Sequence, residues 1–182
     1  MKPKVAVLGS AAGALSDELQ AAAAALGRAL AAFDVVVLTG ATTGLPYLVG
    51  KTAHEAGAWH VGISPAGDAE EHATRYNYPL DGCDCLIYTG FGLKGRNVVL
   101  VRSCDIALFI AGSMGSLNEF TIACDEGRVI GCLKGTGGVA DEAARLLKTF
   151  PKPGRARVFY NRDPARLAQQ CLAEFFLRKD SV

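Results

Sequence analysis

The sequence predicts an α/β protein, a doubly wound, Rossmann-like three-layer fold with a mainly parallel sheet. Two observations carry this. Apolar runs of strand length recur along the chain, each followed by a segment of helical period, and strands apolar throughout need cover on both faces of their sheet. The loops where strands give way to helices are small, polar and rich in glycine, as expected where an open α/β sheet presents its binding crevice.

The elements follow in order. Val5 to Gly9 (VAVLG) reads as a buried strand, and Ser16 to Ala32 as a helix that Ser16 caps. Val35 to Thr39 is the next strand. After the loop Gly40 to Gly44 comes a helix from about Pro46 to Ala56, which Gly57 stops. Trp59 to Ile63 and Cys85 to Tyr88 read as strands, separated by a long loop from Ser64 to Gly82. Within that loop, Pro65 to Gly82 has mixed charge and no clear period, so it is read equally as a lid or as a surface excursion. Lys94 to Ser103 is helical, Ile106 to Ile110 a strand, Ser116 to Glu126 a helix and Val129 to Leu133 a strand. A Gly135 to Gly138 turn precedes a helix over Ala140 to Thr149. Val158 to Tyr160 and Pro164 to Arg178 close the chain as strand and helix.

The 182 residues suit one domain with a substantial core. The formal net charge is +1 and the 19 basic residues are scattered, which argues against a duplex-binding surface and against nucleic acid as a partner. The alanine-rich segment from Ala21 to Ala32 is too short for a spanning helix, which needs about 20 apolar residues. No secretory signal is recognisable, so a soluble cytoplasmic protein is expected, and the six cysteines fit buried free thiols better than disulfides. Cys83 and Cys85 have no second pair at metal-ligand spacing, and no metal site is expected.

Four strand-end loops form the candidate crevice: Gly9, Ser10 and Ala11; Gly40 to Gly44 with Thr42 and Thr43; Gly112, Ser113, Met114, Gly115 and Ser116; and Gly135 with Thr136 to Gly138. Any one alone is an ordinary strand-to-helix turn. Gly9 to Gly13 lacks the dinucleotide fingerprint and no Walker loop is present, which weakens readings as a nicotinamide oxidoreductase or an ATPase. Beside these loops stand Arg96, read as beginning a helix with its guanidinium near the crevice mouth, and Glu119, one turn beyond the third loop. Each has a structural alternative as packing partner or helix-start charge. Arg102 and Asp105 read as structural, and His54, His60 and His72 show no nucleophile-base arrangement.

Ala111-Gly112-Ser113-Met114-Gly115-Ser116-Leu117-Asn118-Glu119 resembles the P-G-G-x-G-T-x-x-E signature of the LONELY GUY (LOG) superfamily, once labelled lysine decarboxylase-like. Arg96 occupies the position of that family's catalytic arginine. Gly40 to Gly44, the run Gly95 to Asp105 and Gly135 to Gly138 resemble the branch that contains molybdenum cofactor carrier proteins. The resemblance spans roughly residues 4 to 150. It implies two alternatives: hydrolysis of the N-glycosidic bond of a nucleoside 5′-monophosphate, with Arg96 and Glu119 as the catalytic pair, or a non-catalytic carrier of molybdenum cofactor or a related phosphorylated pterin. It requires no cofactor for catalysis, and it implies a homodimer or higher homo-oligomer, for which Val98 to Val101 and the Ser116 to Glu126 helix are candidate contacts. Ala111 replaces the signature's proline, Ser113 its second glycine and Ser116 its threonine, while Ala41 and Thr42 stand where active cytokinin-type enzymes are richer in glycine. Nothing marks a pyridoxal-phosphate lysine among Lys51, Lys94 or Lys134, so lysine decarboxylation is set aside.

Overall fold

The computed structural model describes residues 1–11, 15–151 and 154–179. Seven strands and seven helices follow in the order β1 (Lys4–Gly9), α1 (Asp17–Ala31), β2 (Val36–Thr39), α2 (Gly44–Glu55), β3 (Trp59–Ser64), α3 (Ala69–Thr74), β4 (Cys85–Tyr88), α4 (Gly92–Ser103), β5 (Ile106–Ile110), α5 (Met114–Asp125), β6 (Val129–Leu133), α6 (Gly138–Thr149), β7 (Arg157–Asn161) and α7 (Pro164–Lys179). The strands form one sheet in the order β4-β3-β2-β1-β5-β6-β7. Every pairing is parallel.

Alternate residues of the central strands face opposite layers, which explains why the strands are apolar throughout. Val5, Val7, Ile106, Leu108 and Ile110 pack in one core with Leu26, Leu45 and Leu167 of α1, α2 and α7. Ala6, Leu8, Ala107 and Phe109 pack in the other with Leu100, Phe120 and Ala140 of α4, α5 and α6. All helices except the short α3 turn apolar residues to the sheet, so hydrophobic burial on both faces holds the three layers together. Ser16 caps α1 as expected, accepting from the Leu19 N–H at 3.3 Å.

Strand order reverses between β1 and β5. The loops after these strands therefore diverge to opposite faces and leave a crevice between them. Gly9 pairs in register with Ile110, which sets the two loops side by side.

The long segment after β3 contains α3, and it is pinned from inside. His72 is fully buried, with Nδ1 2.8 Å from Ser64 Oγ and Nε2 3.0 Å from Pro79 O. His60 is held between Thr39 Oγ1 at 2.9 Å and Gly82 O at 2.6 Å, and His54 pairs with Asp84. All three histidines are structural. Arg102 and Asp105 do not pair with each other: Arg102 binds Glu126 at 2.7 Å and Asp105 binds Lys4 at 2.7 Å. Cys104, Cys132 and Cys171 are buried thiols outside any disulfide, whereas Cys85 is exposed. Among the described residues no cluster of side chains suits a metal ion, and no helix is long and apolar enough to cross a membrane.

Candidate functional site

The crevice at the switch point is a cleft of about 250 Å³. It gathers Gly9, Ser10, Gly40, Thr42, Arg96, Ser113, Gly115, Ser116 and Glu119 from the residues singled out in the sequence. Thr43, Gly44, Gly112, Met114, Gly135 and Thr136 do not line it. Ala12 and Gly13, at the end of the first loop, lie outside the described residues.

Hydroxyl groups tie the first and third loops together across the switch. Ser10 Oγ accepts the Gly112 N–H at 3.0 Å, and Ser116 Oγ donates to Gly9 O at 3.0 Å. The second loop braces the first from the other side. Thr43 Oγ1 donates to Ala11 O at 2.6 Å, and the Leu45 N–H donates to Ser10 O at 2.9 Å. These two seryl groups and Thr43 therefore frame the site.

Helix α5 begins two residues earlier than its sequence suggests, with Ser113 in the cap position. Ser113 makes no capping hydrogen bond, and no acidic side chain stands in the first turn. Among the described residues no protein acceptor engages the Met114, Gly115 or Ser116 N–H. An uncapped helix start with Gly115 and Ser116 on a cleft wall offers donors and a positive dipole end to an anion.

The Gly135 to Gly138 loop, a candidate for this crevice, does not line it, because Asp141 of α6 occupies its amides. The Gly135 and Gly137 N–H groups donate to the two carboxylate oxygens of Asp141 at 2.8 and 2.7 Å. Asp141 thus fills the nest that a ligand anion would need, and these amides with Lys134 hold its carboxyl below the usual range against burial, the largest influence. Thr136 instead buttresses β5, where its hydroxyl accepts the Ala111 N–H at 2.8 Å.

Ala111 sits at φ 53°, a left-handed conformation that proline, locked near −65°, does not reach. The chain path here differs from one a signature proline would allow. Ala111→Pro is expected to lower stability by about 3 kcal/mol or more, since it forces φ and deletes the Thr136 hydrogen bond. Thermal unfolding measures this; an unchanged Tm refutes it. Gly112 follows at φ 110°, and a Cβ there would lie 2.8 Å from that of Ser116, so glycine is required for the turn into α5.

Arg96 and Glu119 meet inside the cleft. Helix α4 starts at Gly92, so Arg96 lies more than a turn inside it and its guanidinium is buried rather than placed at the mouth. Arg96 NH1 stands 3.4 Å from Glu119 Oε1, with side-chain exposures of 7% and 8%. Arg96 Nε has no hydrogen-bond partner. Burial pushes the Glu119 carboxyl up to about 7, opposed by Arg96 and Lys94, and burial likewise lowers Arg96. A guanidinium with idle donors beside a carboxyl whose hold on its proton is raised by burial has the chemistry to engage an anion and to exchange a proton.

Gly40 makes room for this arrangement. A Cβ at Gly40 would overlap the Arg96 guanidinium. Gly40→Ala is therefore expected to displace the guanidinium and cost about 1–3 kcal/mol in stability. In an Arg96→Ala background the same change should cost under about 0.5 kcal/mol, and denaturant unfolding of the four proteins measures the coupling. Additive losses would refute the assignment.

Beyond the core side chains Val7, Leu8 and Leu100, five lining residues escaped sequence reading: Pro46, Tyr78, Leu93, Lys94 and Asn97. Lys94 and Asn97 flank Arg96 on one helix, a signal that was available. Tyr78 had none, because it reaches the cleft only through the His72 anchor of its segment, where the two rings meet edge to face at 5.6 Å.

Comparisons place this architecture among known proteins. The crystal structure of TM1055, a structural-genomics target, shares 27% identity with a TM-score of 0.81 and covers 96% of this chain and 99% of its own. The Moco carrier protein of Chlamydomonas reinhardtii, at 22% identity, has a TM-score of 0.77 over 98% of this chain and 99% of its own. The molybdenum cofactor binding protein of Rippkaea orientalis, at 21%, reaches 0.76 over 97% and 98%. These last two show a common fold. In sequence, an uncharacterized protein of Archaeoglobus fulgidus is 28% identical over 146 residues, 80% of this chain and 88% of that one. With the model of the SLOG cluster4 family matching residues 2–168, the chain belongs to that family.

Proposed function

We propose that the cleft binds a small phosphorylated ligand, its phosphate on the first turn of α5, and that Arg96 and Glu119 hydrolyse the N-glycosidic bond of a nucleoside 5′-monophosphate. The observation that carries this reading is the buried Arg96–Glu119 pair opening onto an uncapped helix start. The Gly115 and Ser116 N–H groups would receive the phosphate, with Ser113 Oγ as an added donor. The idle edge of Arg96 would take phosphate or ribose oxygens. Glu119 would accept a proton from water as the water oxygen bonds to C1′; the C1′–N bond breaks, its electron pair leaves on the base, and the proton passes to that base nitrogen. The ionised carboxylate also stabilises positive charge developing on the sugar. Incubation with AMP and N6-modified analogues should release free base and ribose 5-phosphate; no turnover with any of them removes the hydrolase reading.

A carrier role for molybdenum cofactor or a related phosphorylated pterin is the second reading. It is favoured by the likeness of the whole fold to the Moco carrier protein and by Ser113, whose side chain stands where the signature has glycine. Arg96 and the α5 amides would then hold the cofactor's phosphate as cargo. Native mass spectrometry and titration with molybdenum cofactor distinguish the two, since a carrier retains its ligand unchanged.

Phe91, Leu93, Val98 and Met114, on or beside the starts and faces of α4 and α5, are exposed, which supports a homodimer through these helices. Of the candidate run Val98 to Val101, Leu100 and Val101 are fully buried in the core and Val99 is partly buried against it, which leaves chiefly Val98 for such a contact.

A further inference from the structure

Asn97 is buried on α4 between Arg96 and the start of α5, and the same space accepts its amide in two orientations. In one, Nδ2 donates to Asn118 Oδ1 at 3.0 Å, which turns Asn97 Oδ1 toward Leu93 O and Glu119 Oε1, oxygen against oxygen. Turned by 180°, Nδ2 lies 3.0 Å from Leu93 O and 3.1 Å from Glu119 Oε1, while Oδ1 faces the Asn118 amide at 3.0 Å. With the Asn118 amide turned to match, every contact becomes a donor-acceptor pair. The Leu93 carbonyl accepts whatever the state of Glu119, so it selects this second orientation. Buried polar groups hold the arrangement that satisfies them.

We infer that Asn97 is a positioning residue for Glu119, its amide N–H holding the carboxylate in the ionised form and aiming it at Arg96 and the cleft. A donor directed at a carboxylate favours the charged state, and it opposes the penalty of burial. Arg96 supplies the counter-charge, but its nearest nitrogen stands 3.4 Å away, and the shorter contact to Glu119 Oε1, at 3.1 Å, is that of the Asn97 nitrogen in the second orientation. Asn118, adjacent to Glu119 on α5, closes the relay by supplying the donor for Asn97 Oδ1. The other charged or titratable groups facing the pair are Lys94 on α4 and Tyr78 from the segment after α3; both act through space on Glu119 or Arg96. The inference rests on the proposed role of Glu119 for its meaning, not for its test.

The test is a carbon-13 NMR titration of the glutamate carboxyls in the intact protein, with the Glu119 resonance assigned by its loss in Glu119→Gln. Asn97→Ala should move the Glu119 midpoint upward by about one pH unit, the shift expected when a hydrogen bond to a charged group is deleted. A midpoint that stays in place or falls overturns the inference. Should Asn97→Ala not fold, Asn97→Leu fills a similar volume without the donor and should give the same upward shift, with no shift again overturning it. Absence of hydrolysis or of phosphate binding refutes the proposed function and leaves this titration unaffected.

Discussion

Glu119→Gln is expected to reduce release of base from a nucleoside 5′-monophosphate by about 10²–10⁴-fold, while affinity for inorganic phosphate changes by less than about threefold. The isostere keeps the shape and the Arg96 contact, but it neither takes a proton nor carries charge. The proposed phosphate seat would use the α5 amides and Arg96, which the substitution leaves in place. Single-turnover assays with AMP analogues, paired with phosphate titration, separate the two effects. Equal activity in wild type and variant would show that Glu119 does no chemistry. Lost phosphate affinity would show that it shapes the seat instead.

Arg96→Ala is expected to lower stability by about 3–5 kcal/mol at pH 8, since it leaves a buried carboxylate without its counter-charge and opens space beside Gly40. The loss depends on pH, and its sign follows from Glu119. The folded-state pKa, raised from 4.5 to about 7, means that the folded protein retains a proton the unfolded chain has released. Stability therefore falls as pH rises through that window. Without Arg96 the carboxyl rises further, so the falling limb extends above pH 7 and the variant's deficit shrinks toward pH 5. Urea unfolding at pH 5 and pH 8 measures both limbs. A double replacement, Arg96→Met with Glu119→Leu, should recover most of the lost stability, because apolar side chains of similar volume avoid desolvating two charges. If it remains as unstable as Arg96→Ala, packing rather than charge explains the loss.

The two substitutions probe features that differ in how local their causes are. Periodicity set the strands and six of the seven helices to within a few residues, since a parallel sheet covered on both faces leaves an apolar run at every buried strand, whereas α3, read as part of a loop, buries only His72 and carries no apolar period. Helix starts were less legible. Both α4 and α5 begin two residues ahead of their apolar pattern, in glycine-containing turns that carry no hydrophobic signal. For Arg96 the shift moved the guanidinium from the mouth of the cleft to its floor.

By itself the sequence determined the layered α/β architecture, the loops at the strand ends and the paired presence of Arg96 and Glu119, all consequences of short-range pattern. The tertiary structure alone decided which loops remain open to a ligand. Asp141 fills the Gly135–Gly137 nest from the next helix, Ser10 and Ser116 tie two loops together, and Gly40 vacates the volume that Arg96 occupies from another element. Such outcomes depend on which donors are already satisfied and which volumes are already filled. Those are properties of contacts between residues far apart in the chain, fixed only when the sheet closes at the switch between β1 and β5.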